Sequence, residues 1–271
     1  MLKSFAGGQV FGGTWGHGPA TVLALHGWQR SHQDFSPVFD PVDPDPAGAD
    51  APPAPDAPAG SAGPPGFGVV APDLFGFGAT PPPPEPWGSK EYASHLLPLF
   101  EEPGVLAERV VVVGHSFGGR VAIPLYGLVP GRIDRLVLTG VPLLDRQGRR
   151  ARPAPAYRVA RRLHAMGLVG EDRMEAMRQR YGSPDYRAAQ GVMRDVFVRL
   201  IGEQYADAMA AVDCRVDLVW GEEDTEVPLE VAVRSQPMFP SATLVTLPGI
   251  GHLTPTEAPG DLRQVILGVR P

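Results

Sequence analysis

Cysteine is almost missing from this chain of 271 residues: Cys214 is the only one, so no disulfide can form within the chain. No stretch approaches the roughly 18 uninterrupted apolar residues of a membrane-spanning helix. Residues 1–8 lack the apolar core of a signal peptide, and the net charge of −6 gives no reason to expect a nucleic-acid partner. We therefore expect a cytoplasmic protein without a membrane or nucleic-acid partner, and the composition leaves its oligomeric state open.

Two kinds of binding site are also missing from the sequence. No group of histidine, cysteine and acidic residues has the spacing of metal ligands, and no glycine-rich phosphate loop occurs, so we predict no metal and no cofactor.

Residues 40–66 contain almost no large apolar side chain, and such a segment cannot offset its ordering entropy. They are predicted to form a mobile surface loop without a chemical role.

What the chain does contain is an alternation of short apolar runs with segments of helical periodicity. The predicted strands are Thr21–Leu25, Phe67–Ala71, Val110–Val113, Ile133–Leu138, Val216–Trp220 and Ala242–Leu247. Residues 141–212 break this rhythm, because they are helical in character and carry 13 arginines against 8 acidic residues. The pattern predicts an α/β core of residues 1–140 and 213–271, with a mostly parallel sheet flanked by helices and a helical insert at 141–212.

The clearest chemical signal follows the valine-rich strand at 110–113. The next residues, Gly114–Gly119, contain the pattern G-x-S-x-G with Ser116 at its centre, and helical spacing resumes immediately afterwards. A serine in such a tight strand-to-helix turn has a strained backbone and an exposed hydroxyl. Because an ordinary serine hydroxyl is a weak nucleophile, this setting predicts that Ser116 acts as one.

A nucleophilic serine needs a base and an acid that orients the base. Asp224 follows the strand at 216–220, and His252 follows the strand at 242–247. The loops after parallel strands all emerge at one edge of the sheet, so Ser116, Asp224 and His252 are predicted to converge there. Their order along the chain is the one expected for this architecture.

At this point the chain resembles the α/β-hydrolase superfamily over nearly its whole length outside 40–66 and the insert. Besides the Ser116 turn, the resemblance rests on His26-Gly27, Asp73–Gly78, Gly221–Asp224, and Gly251-His252 followed by Glu257 and Pro259. It implies an α/β-hydrolase fold in which residues 141–212 form a helical cap over the active site.

The resemblance also implies a role for each site residue. Ser116 is the nucleophile, His252 takes its proton and later activates water, and Asp224 fixes the histidine tautomer. The backbone N–H groups of Trp28 and Phe117 hold the oxyanion.

Several alternative assignments remain open at this stage. The acid could instead be one of the neighbouring glutamates, Glu222, Glu223 and Glu226, or Asp145, a position that some family members use. His115 is expected to be a packed, hydrogen-bonded side chain, and His26 is expected to shape the oxyanion loop without transferring protons.

The serine narrows the reaction to acyl transfer, because haloalkane dehalogenases and epoxide hydrolases of this fold have aspartate at that position. The leading hypothesis is hydrolysis of a carboxylic ester, or a related thioester or lactone, of a small molecule. A carbon–carbon bond hydrolase acting on a dienol keto-acid is the alternative if the cap arginines face inward, although such relatives tend to have asparagine in place of His115. A binding module with little turnover is a further alternative, as is lyase or perhydrolase chemistry.

Apolar cap side chains are candidates for either the pocket or the cap's own core: Tyr157, Met166, Met174, Tyr181 and Phe197.

Overall fold

The computed structural model describes residues 2–40, 67–144, 155–181 and 183–269. The predicted loop at 40–66 lies outside the described residues except for Asp40, and Asp145 and the side chain of Tyr181 also lie outside them.

Eight strands form one sheet in the described part of the chain. They are β1 (Leu2–Phe5), β2 (Val10–Gly16), β3 (Ala20–Leu25), β4 (Gly68–Pro72), β5 (Leu106–His115), β6 (Ile133–Thr139), β7 (Arg215–Gly221) and β8 (Ala242–Leu247). Their spatial order is β1-β2-β4-β3-β5-β6-β7-β8. The first two pairs, β1 with β2 and β2 with β4, are antiparallel, and the remaining neighbours are parallel. The prediction of a mostly parallel sheet flanked by helices is thus confirmed, whereas β1 and β2 were not predicted.

Helices connect the strands and cover both faces of the sheet. The α-helices are α1 (Ser36–Phe39), α2 (Ser89–Ser94), α3 (Pro98–Glu101), α4 (Phe117–Leu128), α5 (Pro155–Ala165), α6 (Glu171–Tyr181), α7 (Pro184–Ala188), α8 (Val192–Leu200), α9 (Ala206–Ala210), α10 (Leu229–Ser235), α11 (Thr254–Glu257) and α12 (Pro259–Leu267). Short 3₁₀ helices span Ala6–Gly8, His32–Phe35 and Gln236–Met238. No helix among the described residues is both long and apolar enough to cross a membrane.

Alternate side chains of the central strands enter two separate apolar cores. Val112 of β5 packs into the core that contains α4, whereas Val113 packs on the opposite face, against side chains of α1 and α12. Because successive side chains of a strand point to opposite faces, a run such as residues 110–113 can be apolar throughout only when both faces are covered. Packing on both faces fixes the position of β5. It therefore also fixes the position of Ser116, the residue that follows the strand.

Among the residues that the structure describes, five helices, α5–α9, lie between β6 and β7, within the interval predicted as a cap. Val196 and Leu200 of α8 and Met209 of α9 are buried in the same apolar cluster as Leu138 and Leu218 of the sheet. The second half of the interval is therefore joined to the core by apolar packing, while its function as a cap stays a prediction.

Candidate active site

Ser116 lies between the last residue of β5 and the first residue of α4 in a backbone conformation that few residues adopt. Its φ is 49° and its ψ is −112°, which lies outside the favoured regions for L residues and costs roughly 1–3 kcal/mol. The N–H of Ser116 donates to the carbonyl oxygen of Thr139, the last residue of β6, at 2.8 Å. The serine is therefore held at the carboxyl edge of the sheet, at the point where two parallel strands end.

Two glycines allow this turn to close. A Cβ on Gly114 would lie 2.5 Å from the Cα of Gly119, and a Cβ on Gly118 would lie 2.1 Å from the carbonyl oxygen of Leu25. Both distances are too short for any real side chain, because α4 passes directly over the ends of β5 and β3. The glycines of the motif are thus required by close backbone contacts.

The other two predicted residues meet at the same edge. The Nδ1 atom of His252 lies 2.8 Å from Oδ2 of Asp224, and Asp224 is buried. The second oxygen, Oδ1, accepts the N–H groups of Glu226 at 2.9 Å and Val227 at 2.7 Å. A carboxylate held in this way accepts from Nδ1, so the hydrogen-bond network assigns the proton to Nδ1 and leaves Nε2 as the basic nitrogen.

The neighbouring glutamates have different surroundings from Asp224. Glu222 and Glu223 are exposed. The side chain of Glu226 is 67% exposed, and its Oε2 lies 3.5 Å from Nε2 of His252. Of the carboxylates weighed as the acid, Asp224 alone is buried and in hydrogen-bond contact with Nδ1 within the described residues.

The loop that carries His252 is held by Glu257 of α11. The carboxylate of Glu257 accepts the N–H of Gly251 at 2.6 Å and the N–H of Leu253 at 3.3 Å, one on each side of the histidine. Gly221 lets this loop cross the end of β7, since a Cβ there would lie 2.2 Å from the carbonyl oxygen of Ile250. Sequence reasoning had noted Glu257 as part of a motif but had given it no role.

Two further histidines near the site are buried and neutral. Burial lowers the pKa of His26 to about 4, and burial together with the charge of His252 lowers the pKa of His115 to about 3. Nε2 of His26 accepts the N–H of Leu74 at 2.9 Å, so its Nδ1 donates to the carbonyl oxygen of Gly27 at 2.7 Å. His26 thus links the loop after β3 to the loop after β4, as its predicted structural role required.

Asp73 joins the same two loops from the opposite side. Its Oδ1 contacts both the backbone N–H and Nδ1 of His32, at 2.7 and 2.8 Å, and its Oδ2 accepts the N–H of Ala79 at 2.9 Å. The carboxylate therefore anchors the segment that follows Trp28. The motif at 73–78 is part of the resemblance, but no pattern in the sequence indicates this contact.

Aromatic rings fill the space beside Ser116. The indole ring of Trp28 lies 4.9 Å from the ring of Phe77, 5.6 Å from that of Phe117 and 5.2 Å from that of Phe197 on α8. Among the apolar cap side chains that are candidates for the pocket, Phe197 therefore contacts Trp28, whose backbone N–H is the predicted oxyanion donor. Met166 is 64% exposed, whereas Met174 is buried.

A cavity of about 260 Å³ lies at the opposite edge of the sheet, where β7 and β8 begin. Its one buried acid, Asp217, accepts hydrogen bonds from Arg135, Arg215 and Thr243. We assign this carboxylate a structural role, because its partners are all within the protein. No cluster of three potential metal-binding side chains occurs among the described residues.

Comparison with known proteins identifies the family of the chain. Residues 22–265 match the sequence profile of the Alpha/beta hydrolase family. The chain belongs to this family. The predicted superfamily and fold are therefore confirmed.

Proteins similar to this chain have names that indicate different reactions. An uncharacterised protein of Mycobacterium tuberculosis is 24% identical over 230 residues, which are 74% of this chain and 66% of that protein, so the chain spans slightly less than two thirds of its length. A 2-hydroxymuconate semialdehyde hydrolase of Pseudomonas putida is 26% identical over 204 residues, or 70% of this chain and 72% of that protein. The structure of a thermophilic esterase from Thermogutta terrifontis has the same fold, with a TM-score of 0.61, 21% identity, and coverage of 99% of this chain and 97% of that one.

Proposed function

We propose that this hydrolase cleaves a carboxylic ester of a small molecule through an acyl-serine intermediate. The observation that carries the proposal is the strained backbone of Ser116 together with the hydrogen-bonded pair of Asp224 and His252. The ring of His252 lies 5.0 Å from the ring of His115, the residue before Ser116. The three residues follow three strands of one parallel sheet, and such a constellation serves covalent acyl transfer.

In the proposed first step, the hydroxyl oxygen of Ser116 attacks the ester carbonyl carbon and Nε2 of His252 takes the hydroxyl proton. Asp224 keeps the imidazole in the required tautomer and stabilises the cation that forms. The oxyanion accepts the backbone N–H groups of Phe117 and Trp28. Phe117 begins α4, so its N–H has no acceptor within the helix and lies at the positive end of the helix dipole.

The intermediate then collapses, and His252 returns its proton to the leaving alcohol. In the second half of the reaction, water attacks the acyl-serine with His252 again as the base, and the carboxylic acid leaves while Ser116 regains its proton. The reaction needs no group beyond these side chains and backbone donors. This simplicity supports ester hydrolysis, the reaction that the sequence also favours.

Carbon–carbon bond hydrolysis of a dienol keto-acid is the second candidate, and the Pseudomonas putida relative supports it. That hypothesis depends on inward-facing cap arginines. Arg178 and Arg194, the half-buried arginines of the interval, pair with carboxylates of α6, and the other described arginines there are exposed. His115 stands where such relatives tend to have asparagine. These observations favour the ester hydrolase.

A labelling and turnover experiment tests the proposal. Wild-type protein is expected to react with a fluorophosphonate and to hydrolyse p-nitrophenyl esters, and Ser116→Ala is expected to abolish labelling and lower kcat/KM roughly 10⁴-fold or more. Ser94→Ala on α2 is the matched control and should retain both properties.

Failure to label, with Ser116→Ala indistinguishable from wild type on every ester, would refute the serine hydrolase. Turnover of a dienol keto-acid far above that of any ester would replace the ester hydrolase with the second candidate.

A further inference from the structure

The indole of Trp28 has a buried N–H without an acceptor. Its Nε1 atom is shielded from solvent and makes no hydrogen bond within the described residues. The buried indole of Trp220, by contrast, donates to the carbonyl oxygen of Val227 at 2.8 Å. Buried donors almost always have a partner, and an orphan calls for an explanation such as a functional role.

The surroundings of Trp28 supply no such partner from the rings that pack against it. Phe77, Phe117 and Phe197 contact the indole, and each presents only hydrocarbon. A buried N–H that has no oxygen or nitrogen acceptor lowers the stability of the protein unless an acceptor from outside the chain reaches it.

The position of this donor connects it to the reaction. Trp28 is the residue whose backbone N–H is the proposed oxyanion donor, and Phe117, which contacts its ring, follows Ser116 directly. A substrate whose carbonyl group is bound by the backbone of Trp28 therefore places its nearby atoms within reach of the same residue's side chain. The acyl part remains bonded to Ser116 throughout the covalent stage, so it is the part held longest at this place.

We propose that the indole N–H of Trp28 donates a hydrogen bond to an oxygen in the acyl part of the substrate, a few bonds from the reacting carbonyl. This inference rests on the proposed function and narrows its substrate class. The preferred acyl groups carry an ether, hydroxyl or carbonyl oxygen, in place of a plain alkyl chain, because an alkyl chain would leave the buried donor unpaired.

A pair of esters that differ by one atom tests the inference. p-Nitrophenyl methoxyacetate and p-nitrophenyl butyrate have the same shape, with an ether oxygen in one where the other has a methylene. Trp28→Phe keeps an aromatic ring but removes the N–H. We expect it to lower the ratio of kcat/KM for methoxyacetate over butyrate by about 5–10-fold, the usual worth of one hydrogen bond.

Any general effect of the substitution on the oxyanion loop cancels in this ratio, because it acts on both esters. The difference in chemical reactivity between the two esters cancels when the ratio of the variant is compared with that of wild type. Trp15→Phe is the matched control, because the indole of Trp15 donates to Asp40 on the surface, and it should leave the ratio unchanged. A ratio in Trp28→Phe within twofold of wild type would overturn the inference. So would a selective loss on 2-methoxyethyl acetate relative to butyl acetate, since the contact would then lie in the alcohol part.

A binding measurement separates this inference from the proposed function. In Ser116→Ala labelled with ¹⁵N at tryptophan, the Trp28 indole signal is assigned by its absence when Trp28→Phe is added. Methoxyacetone is expected to move this proton signal downfield, and 2-pentanone, its methylene counterpart, is not. Equal shifts, or none, would overturn the hydrogen bond even if the esterase activity stands. A selective shift, combined with a wild-type protein that hydrolyses no ester, would support the donor and refute the proposed reaction.

Discussion

Asp224→Asn removes one charge from the candidate site while preserving almost all of its shape. The Oδ1 atom of Asp224 accepts two backbone N–H groups, those of Glu226 and Val227. An asparagine must therefore keep its oxygen at that position and direct its NH₂ group at His252. Nδ1 of His252 then has to accept a hydrogen bond, which moves the ring proton to Nε2 and removes the base that Ser116 needs.

The expected magnitude follows from this tautomer change. An asparagine in place of a triad aspartate lowers kcat about 10⁴-fold in a serine protease, or about 5.4 kcal/mol of transition-state stabilisation. The two backbone contacts to Oδ1 survive, so the free energy of unfolding should fall by only about 1 kcal/mol. This variant should therefore lose almost all activity while it remains nearly as stable as wild type.

Glu226→Gln is the matched control, because it makes the same chemical change two residues away. The Glu226 side chain is 67% exposed and lies 3.5 Å from Nε2 of His252. An exposed pair of this kind contributes about 0–1 kcal/mol, so kcat/KM should change by no more than about fivefold. The assay is p-nitrophenyl ester hydrolysis at pH 7.5, with urea unfolding of each variant to measure stability.

Two results would refute this reasoning. If Asp224→Asn keeps activity within tenfold of wild type, the contact to Nδ1 does not control the tautomer. If Glu226→Gln loses as much activity as Asp224→Asn, the exposed glutamate is the functional acid and the assignment of Asp224 is wrong.

Three further predictions concern residues that support the site. Gly118→Ala should abolish activity or folding, because a Cβ would lie 2.1 Å from a backbone oxygen, whereas Gly127→Ala on the same helix has open space and should stabilise the protein by about 0.5–1 kcal/mol in urea unfolding. The folded state keeps His115 neutral down to about pH 3, while the unfolded chain binds that proton below about pH 6.5, so stability must fall as pH falls between these values. His115→Asn should therefore reduce the pH dependence of the unfolding free energy by about 1.4 kcal/mol per pH unit between pH 6 and pH 4.5. Glu257→Ala should lower kcat/KM for all esters by about tenfold, and Glu257→Gln, which keeps one acceptor oxygen, should restore part of the loss.

Each of these predictions has an opposite outcome that contradicts it. An active, stable Gly118→Ala would mean that α4 does not pass as closely over β3 as the structure indicates. Unchanged slopes of stability against pH would show that His115 takes up a proton in the folded protein. Wild-type activity in Glu257→Ala would mean that the carboxylate does not position the histidine loop.

The main elements of the fold were accessible from the sequence because their signals are local. Runs such as residues 110–113 are apolar on both faces, and G-x-S-x-G allows only a narrow range of backbone paths. The hairpin of β1 and β2 was not predicted because it lacks such a local signal. Its residues include Gly12, Gly13 and Gly16, and it lacks the apolar run that reveals a buried strand. A Cβ on Gly12 would lie 2.3 Å from the carbonyl oxygen of Ala71, so these glycines serve contacts with β4 that no local pattern displays.

By itself, the sequence determined the family, the strained serine and the set of acids from which the partner of His252 had to come. Strand ends of a parallel sheet share one edge, so the order of elements alone predicts that Ser116, Asp224 and His252 converge there. Only the tertiary structure decided which carboxylate contacts Nδ1, because burial and two backbone N–H groups distinguish Asp224 from the exposed Glu226. It also decided that Nε1 of Trp28 is buried with no acceptor in the described part of the chain. Solvent exclusion arises from segments far apart in sequence, and no spacing of residues along the chain encodes it.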